Sequence, residues 1–380
     1  MLHIYYGREH IDKDKFLFSR VKESLAKIRS GISAVERIYV IVPDQFTLQA
    51  EQNALDYMDE PGLLEVDVLS MSRLGHRILS ETAGATRTHI DKYGRHMLIS
   101  GILKEKQAEL MTFGGTVSSV SFVEMVNALI TEMKQHNVEP QDIPNILESV
   151  EQGSLLYRKL ADIYHVFEEY QERIIGKYVD TEDYTRLVTE QIPHSPLVRS
   201  GEFWIYGFDS FTPKSMALLG QLMACAMDVN LVMIGDPGVC GPEKEPGDGD
   251  LFGLSKMVMD QLRLMAMDQG TIWEQKAIGE EYRRPERHSQ LEHLERNLYA
   301  WPHQIYAAET GFVENFSDGN DPEDAVAFCR AANIYNEAES AAAEILRLVR
   351  DRGYRYEDIT VITNDMEGRG SVISRVFGKY

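Results

Sequence analysis

The stretch HIYYGREHIDKDKFLFSRV, His3 to Val21, has the residue types and spacing of a phosphate-binding loop. An apolar run, Leu2 to Tyr6, enters Gly7, and Phe16, Leu17, Val21 and Leu25 then recur with helical spacing. Between such elements the pattern G-x-x-x-x-G-K-[ST] cradles phosphates with bare backbone amides, sets a lysine on them and offers a hydroxyl to Mg²⁺. Laid on without gaps, it falls on Gly7, Asp12, Lys13 and Asp14. Gly7 and Lys13 are the candidate cofactor-binding residues, but carboxylates replace the second glycine and the hydroxyl. A carboxylate about 4 Å from a phosphate charge costs up to roughly 4 kcal/mol at an effective dielectric of about 20. A whole micromolar interaction is worth about 8 kcal/mol. The two acids therefore predict a loop that has lost its ligand, with Asp12 and Asp14 capping or flanking the helix over 14–30. Asp14 as a metal ligand is the minor alternative. Taken alone, the turn also reads as an ordinary strand–turn–helix.

The elements around the loop alternate. Strand-like runs LHIYY, RIYVIVP and LEVDVLS are each followed by a helical pattern, at 14–30, 45–58 and 70–82. From 90 to about 192 the pattern is helical throughout, in YGRHMLISGILKEK, SFVEMVNALITEMKQH, SLLYRKLADIYHVFEEYQERII and TEDYTRLVTEQI. Strands return at FWIYGF (203–208) and VNLVMIGD (229–236), with a helix from Pro213 to Met227 between them. HSPLVRS (194–200) and GPEKEPGDGD (241–250) read as loops, 251–268 as a helix, and EEYRRPERHSQLEHLERN as a solvated helix. A last α/β portion starts near 324 with AVAFCRAANI, a helix over 336–351, the strand DITVIT and a terminal helix. The expected fold is therefore an α/β parallel-sheet lobe (1–88 and 193–300), an all-helical insertion (89–192) and a partial second α/β lobe (301–380). With so few strands in its last portion, the chain reads as ending inside a domain.

Composition narrows the classes. At 43% apolar and 26% charged residues the chain is of the soluble globular type, and it carries no signal-peptide or membrane-spanning pattern, so a cytoplasmic location is expected. Cys225, Cys240 and Cys329 form no C-x-x-C, and the eleven histidines show no ligand spacing, so no metal site and no catalytic residue is assigned. A net charge of −21 argues against a protein that merely coats nucleic acid, while leaving room for a local groove or a basic partner.

The order and spacing of VPDQFTLQAEQNAL (42–55), VDVLSMSRLGHRIL (66–79), YVDTEDYTRL (178–187), IYGFDSFTPKSMALLGQL (205–222) and RDRGYRYEDITVIT (350–363) resemble the N-terminal part of the AddB/RexB family. These are the B subunits of bacterial ATP-dependent helicase/deoxyribonucleases. The layout resembles the motor core of superfamily 1 helicases, a P-loop NTPase-like arrangement. The resemblance implies resection of DNA ends in double-strand break repair, an AddA-type partner, and single-stranded DNA scanned for a Chi-like sequence. It places Mg²⁺, a nuclease and a 4Fe–4S cluster C-terminal to this region, which would then need no cofactor of its own.

It also exposes a second loss. An active motor ends the strand after the helical insertion in Asp-Glu, one acid organising Mg²⁺ and the other positioning water. Tyr206 and Gly207 stand there, and Gly235 and Asp236 match the GD of the next motif. Two degraded ATP motifs in one chain favour an inherited, disabled site. The family's DNA-contacting positions match Gln45, Thr47, Met71, Arg73, His76 and Phe208. Gln and Thr can bond base edges, Arg a phosphate or guanine, and Phe can stack. Each residue alone also reads as packing, capping or solvated surface. The family often carries aromatics where Met71 and His76 stand, so sequence preference is expected to differ. Two alternatives stay open: a divergent but active ATPase, and an acidic docking scaffold without DNA contact.

Overall fold

The computed structural model describes residues 1–59, 62, 64–82, 88–175, 177–245, 247, 249–284, 288–302, 304–306 and 325–380. In chain order its main elements are β1 (Leu2–Gly7), α1 (Lys13–Arg29), β2 (Arg37–Ile41), α2 (Thr47–Met58), β3 (Val66–Leu69), α3 (Met71–Glu81) and β4 (Thr88–His89). Then come α4 (Lys92–Glu105), α5 (Val120–Gln135), α6 (Ile143–Glu148), α7 (Leu155–Ile174), β5 (Tyr178–Val179), α8 (Thr181–Gln191) and α9 (Pro196–Arg199). They are followed by β6 (Gly201–Tyr206), α10 (Pro213–Cys225), β7 (Asp228–Ile234), α11 (Gly253–Asp268), β8 (Trp273–Ala277), α12 (Ser289–Asn297), α13 (Ile334–Arg352) and α14 (Met366–Phe377). The chain divides into two units, Met1–Pro285 and Glu286–Tyr380.

In the first unit, six strands form one parallel sheet in the order β3-β2-β6-β7-β1-β8. The expected strands around 2–6, 37–42, 65–69, 203–207 and 230–235 all lie in it. Alternation within β1 sends Leu2, Ile4 and Tyr6 to one face, where Phe203, Ile205 and Leu231 meet Leu74 of α3, Val188 of α8 and Leu219 of α10. The opposite face carries Val40, Trp204 and Val232 under Phe16, Leu17 and Val21 of α1 and Ala54 and Met58 of α2. A third core, Ile99, Ile102, Val126, Ile130, Phe167 and Tyr170, binds α4, α5 and α7 into a helical body. Because Val188 and Ile192 sit in the sheet's core, α8 belongs to the sheet layer, and the change of core falls before Thr181 rather than at 192.

Three local expectations are corrected. HSPLVRS is a short helix, not a loop: Ser195 caps Val198 N and Pro196 occupies the first helical position, where its missing N–H costs nothing. β8 escapes the apolar-run criterion because Glu274, Gln275 and Lys276 are tolerated on an edge strand paired on one side only. In the second unit, 325–333 and 359–363 form no ladder among the described residues, since strand propensity needs a partner to express it. That unit instead pairs α13 with α14 through Ala338, Ala342 and Val376, with Arg369 bonded to Glu337. The expected boundary near 300 adjoins residues 303 and 307–324, which lie outside the described ones.

Among the described residues no helix is long and apolar enough to cross a membrane.

Candidate functional site: a filled phosphate loop beside the strand ends

The loop after β1 is occupied by its own chain. Ile11 is buried and packs against Gly7 so closely that a Cβ there would lie 3.2 Å from the Ile11 Cβ. Lys13, 2% exposed, donates to the Arg8 carbonyl at 3.1 Å and pairs with Glu9 at 3.2 Å. Burial holds its pKa below the ordinary lysine range, partly offset by Glu9. The ammonium that would meet a phosphate is spent inside the loop.

Part of the loop's backbone is bonded as well. Asp12 N donates to Tyr282 O at 2.8 Å, Ile11 N to Arg8 O at 3.1 Å, and Arg284 N returns a bond to His10 O at 3.0 Å. Residues 280–284 thus lie across the loop, with an isolated antiparallel bridge between Ile11 and Arg283. Asp12 caps α1, accepting from Lys15 N at 3.0 Å and from the Tyr57 hydroxyl at 3.1 Å. Arg8 bonds Asp236, the acid of the next motif, and its guanidinium lies 5.3 Å from the Phe252 ring centroid.

The place that the motor pattern gives to the metal is closed by a direct bond. In an active motor the loop hydroxyl and the strand acid both hold Mg²⁺. Their counterparts, Asp14 and Tyr206, touch each other: Tyr206 OH donates to Asp14 Oδ2 at 3.1 Å, and Asn53 donates to Asp14 Oδ1 at 3.0 Å. Burial, reinforced by the Asp14 carboxylate, raises the Tyr206 pKa and keeps the phenol a donor at neutral pH. These residues do not fit a nucleotide with its cation. Among the described residues no group of three or more His, Cys, Asp or Glu is arranged to hold a metal ion.

At the C-terminal ends of β2, β3 and β6, where open α/β sheets bind ligands, three segments meet. Ser72 Oγ donates to Asp44 Oδ1 at 2.9 Å, joining the start of α3 to the turn 44–46. Gly207, at φ +81°, lies with a notional Cβ 3.3 Å from Pro43 Cδ. Gln45 is exposed on this rim beside Phe46, which is 47% exposed. Thr47 is buried and donates its hydroxyl to Asp44 O at 3.1 Å, so its side chain serves the helix start. Met71 and Phe208 are half-buried against the sheet core, with Phe208 5.4 Å from Phe211 in a near-parallel stack.

Arg73 and His76 are exposed but face elsewhere. They line an open cavity of about 600 Å³ at the outer edge of the sheet, with Glu51 and Leu55 of α2 and Val66 to Leu69 of β3. Asp67 in its wall accepts from Arg37 at 2.7 Å and from Arg77 at 2.7 and 3.1 Å. Burial opposes ionisation of Asp67, yet the two arginines hold its pKa below the usual carboxylate value. The structure therefore groups Gln45, Met71 and Phe208 at the mouth and sets Arg73 and His76 around its corner. Sequence reading missed Ile11, which fills the loop from within, and Tyr57 and Tyr282, whose contacts with the loop are tertiary and leave no spacing signal.

Residues 4–295 match the family model described as ADDB, N-terminal. Over its whole length the chain is 31% identical to the B subunit of an ATP-dependent helicase/deoxyribonuclease from Acetivibrio thermocellus. It is likewise 31% identical to the B subunit of one from Clostridium perfringens. Over 99% of its length it is 29% identical to that of Alkaliphilus metalliredigens. The chain spans 31% of the length of each of these relatives, about a third. A family match across most of the chain, on a parallel sheet of the helicase-like α/β kind, means that the chain belongs to the ADDB N-terminal family.

Proposed function

We propose that this chain is the helicase-like N-terminal region of the B subunit of a cytoplasmic ATP-dependent helicase/deoxyribonuclease acting in DNA double-strand break repair. In this reading it holds passing single-stranded DNA, docks an AddA-type subunit and hydrolyses no ATP. One observation carries it: the phosphate loop is filled by Ile11, Lys13 and residues 280–284, while Gln45 stands exposed at the neighbouring strand ends beside half-buried Met71 and Phe208. The names of the relatives support the enzyme class. Mg²⁺ and a 4Fe–4S cluster would belong to other parts of the longer protein.

The strand would cross the rim at Gln45 and Phe208 and turn over Arg73 and His76 towards the outer edge of β3. Met71 and Thr47 would shape the rim from beneath. In the assembled enzyme, Gln45→Ala and Arg73→Ala are each expected to weaken single-strand binding by about 1–3 kcal/mol, the worth of a base contact or stack. Salt-dependent DNA titration of folded variants measures this. Parental binding and an unchanged response to DNA sequence in both variants would favour the acidic scaffold, for which the net charge of −21 speaks.

A further inference from the structure

Helix α11 is apolar on both sides. Met259, Leu262 and Ala266 are buried against the sheet. On the opposite side Leu254 is 77% exposed, Met257 62%, Leu264 54% and Met267 54%. Their spacing places these four on one stripe, shared with Gln261 and with Asp260 and Asp268. A helix that exposes large apolar side chains opposite its buried face marks an interaction site. Two methionines in it suit a surface that adapts to its partner's shape.

The rim identifies the occupant. Residues 241–270 carry six carboxylates and three cations. The cations are committed: Lys256 is buried and bonded to Asp260, Arg263 bonds Asp260 and stacks 5.5 Å from Trp273, and Lys244 bonds the carbonyls of Pro237 and Gly238. Glu243, Glu245 and Asp250 before the helix and Asp268 at its end are exposed. A second copy of this chain would bring the same acids and a further charge of −21 onto the face. We infer that α11 docks a different protein, the partner subunit, through an apolar surface rimmed by lysine or arginine. This rests on the reading of the chain as one subunit of a two-subunit enzyme and assigns the face by which it joins.

The test uses the full polypeptide with Leu264→Cys in a Cys329→Ser background, and maleimide labelling of position 264 read by mass spectrometry. Free chain should label quickly at every concentration, and adding the AddA-type subunit should slow labelling at least roughly tenfold. Leu254→Glu with Met257→Glu should weaken the complex at least roughly tenfold, the scale of an interface anchor, with an unchanged circular dichroism spectrum. Unchanged labelling in a complex that does form overturns the assignment of this face and leaves the two-subunit reading standing. Protection that grows with the chain's own concentration overturns it in favour of a second copy. Slow labelling of the free chain at all concentrations overturns it in favour of cover by the chain itself. If the parent forms no complex at all, the two-subunit reading falls, and this assignment with it.

Discussion

Lys134→Met is expected to cost about 3–5 kcal/mol of stability at neutral pH, because it strands carboxylates in an interior. Lys134 is 1% exposed in α5, and its ammonium lies 2.6 Å from Asp180 and 2.9 Å from Asp183. Asp180 also accepts from the Tyr170 hydroxyl at 3.0 Å and, as the cap of α8, from Asp183 N at 2.8 Å. The network ties the helical body to α8 of the sheet layer. YVDTEDYTRL thus holds this junction together rather than forming part of the site.

The pH dependence follows from the direction of the shift. Burial works against the Asp180 carboxylate, but Lys134 and its other donors hold its pKa below the usual value. A depressed folded pKa gives stability that is complete well above the unfolded value of about 3.9. That stability is lost as pH falls through the unfolded value towards the folded one. Urea titrations should show the parent losing stability below about pH 4. The gap to Lys134→Met should narrow there, since protonation relieves the stranded acid in the variant. A deficit under about 1 kcal/mol at pH 7 is far below the cost of stranding a buried charge and would contradict this account.

Asp162→Ala should be comparably severe, at about 3 kcal/mol or more, since three hydrogen bonds to a buried carboxylate are lost and a bond to a charged group is worth about 1.5–3 kcal/mol. Asp162, 1% exposed on α7, accepts from Met111 N at 2.7 Å, Thr112 N at 2.7 Å and Phe113 N at 3.0 Å. It closes the turn between α4 and α5 as a helix cap would. Asp162→Asn should fall between the parent and the alanine variant, because its NH₂ group turns a donor towards at least one of these donors. Urea titration gives the order, and hydrogen exchange at 111–113 should rise with it. An asparagine variant as stable as the parent would show that the carboxylate's two acceptor oxygens are not needed.

Much of this was legible in the chain. Apolar runs such as RIYVI and FWIY specify the strands because a parallel sheet is buried on both faces. Asp12 announced its role as a cap, and the replacements at Asp14 and Tyr206 each pointed to a lost cation; only the fold shows that they bond each other. Lys134 was illegible, since a lysine on an amphipathic helix is normally solvated and its acids lie 46 and 49 residues away. Residues 280–284 read as solvent-facing for the same reason: their bonds to Asp12 and His10 depend on where the chain returns. Arg73 matched a DNA-contacting position by order in the sequence, but the turn of α3 carries it to the sheet's edge rather than the mouth.

The measurement closest to the central claim is a calorimetric titration of the folded chain with ATP, with and without Mg²⁺. A loop whose lysine and cation position are committed internally, and whose Ile11 and Asp12 amides are bonded within the chain, should give no binding tighter than millimolar, about 4 kcal/mol, and no difference on adding Mg²⁺. Micromolar affinity that depends on Mg²⁺ and is lost in Lys13→Ala would contradict the account and restore the reading as a divergent, active ATPase.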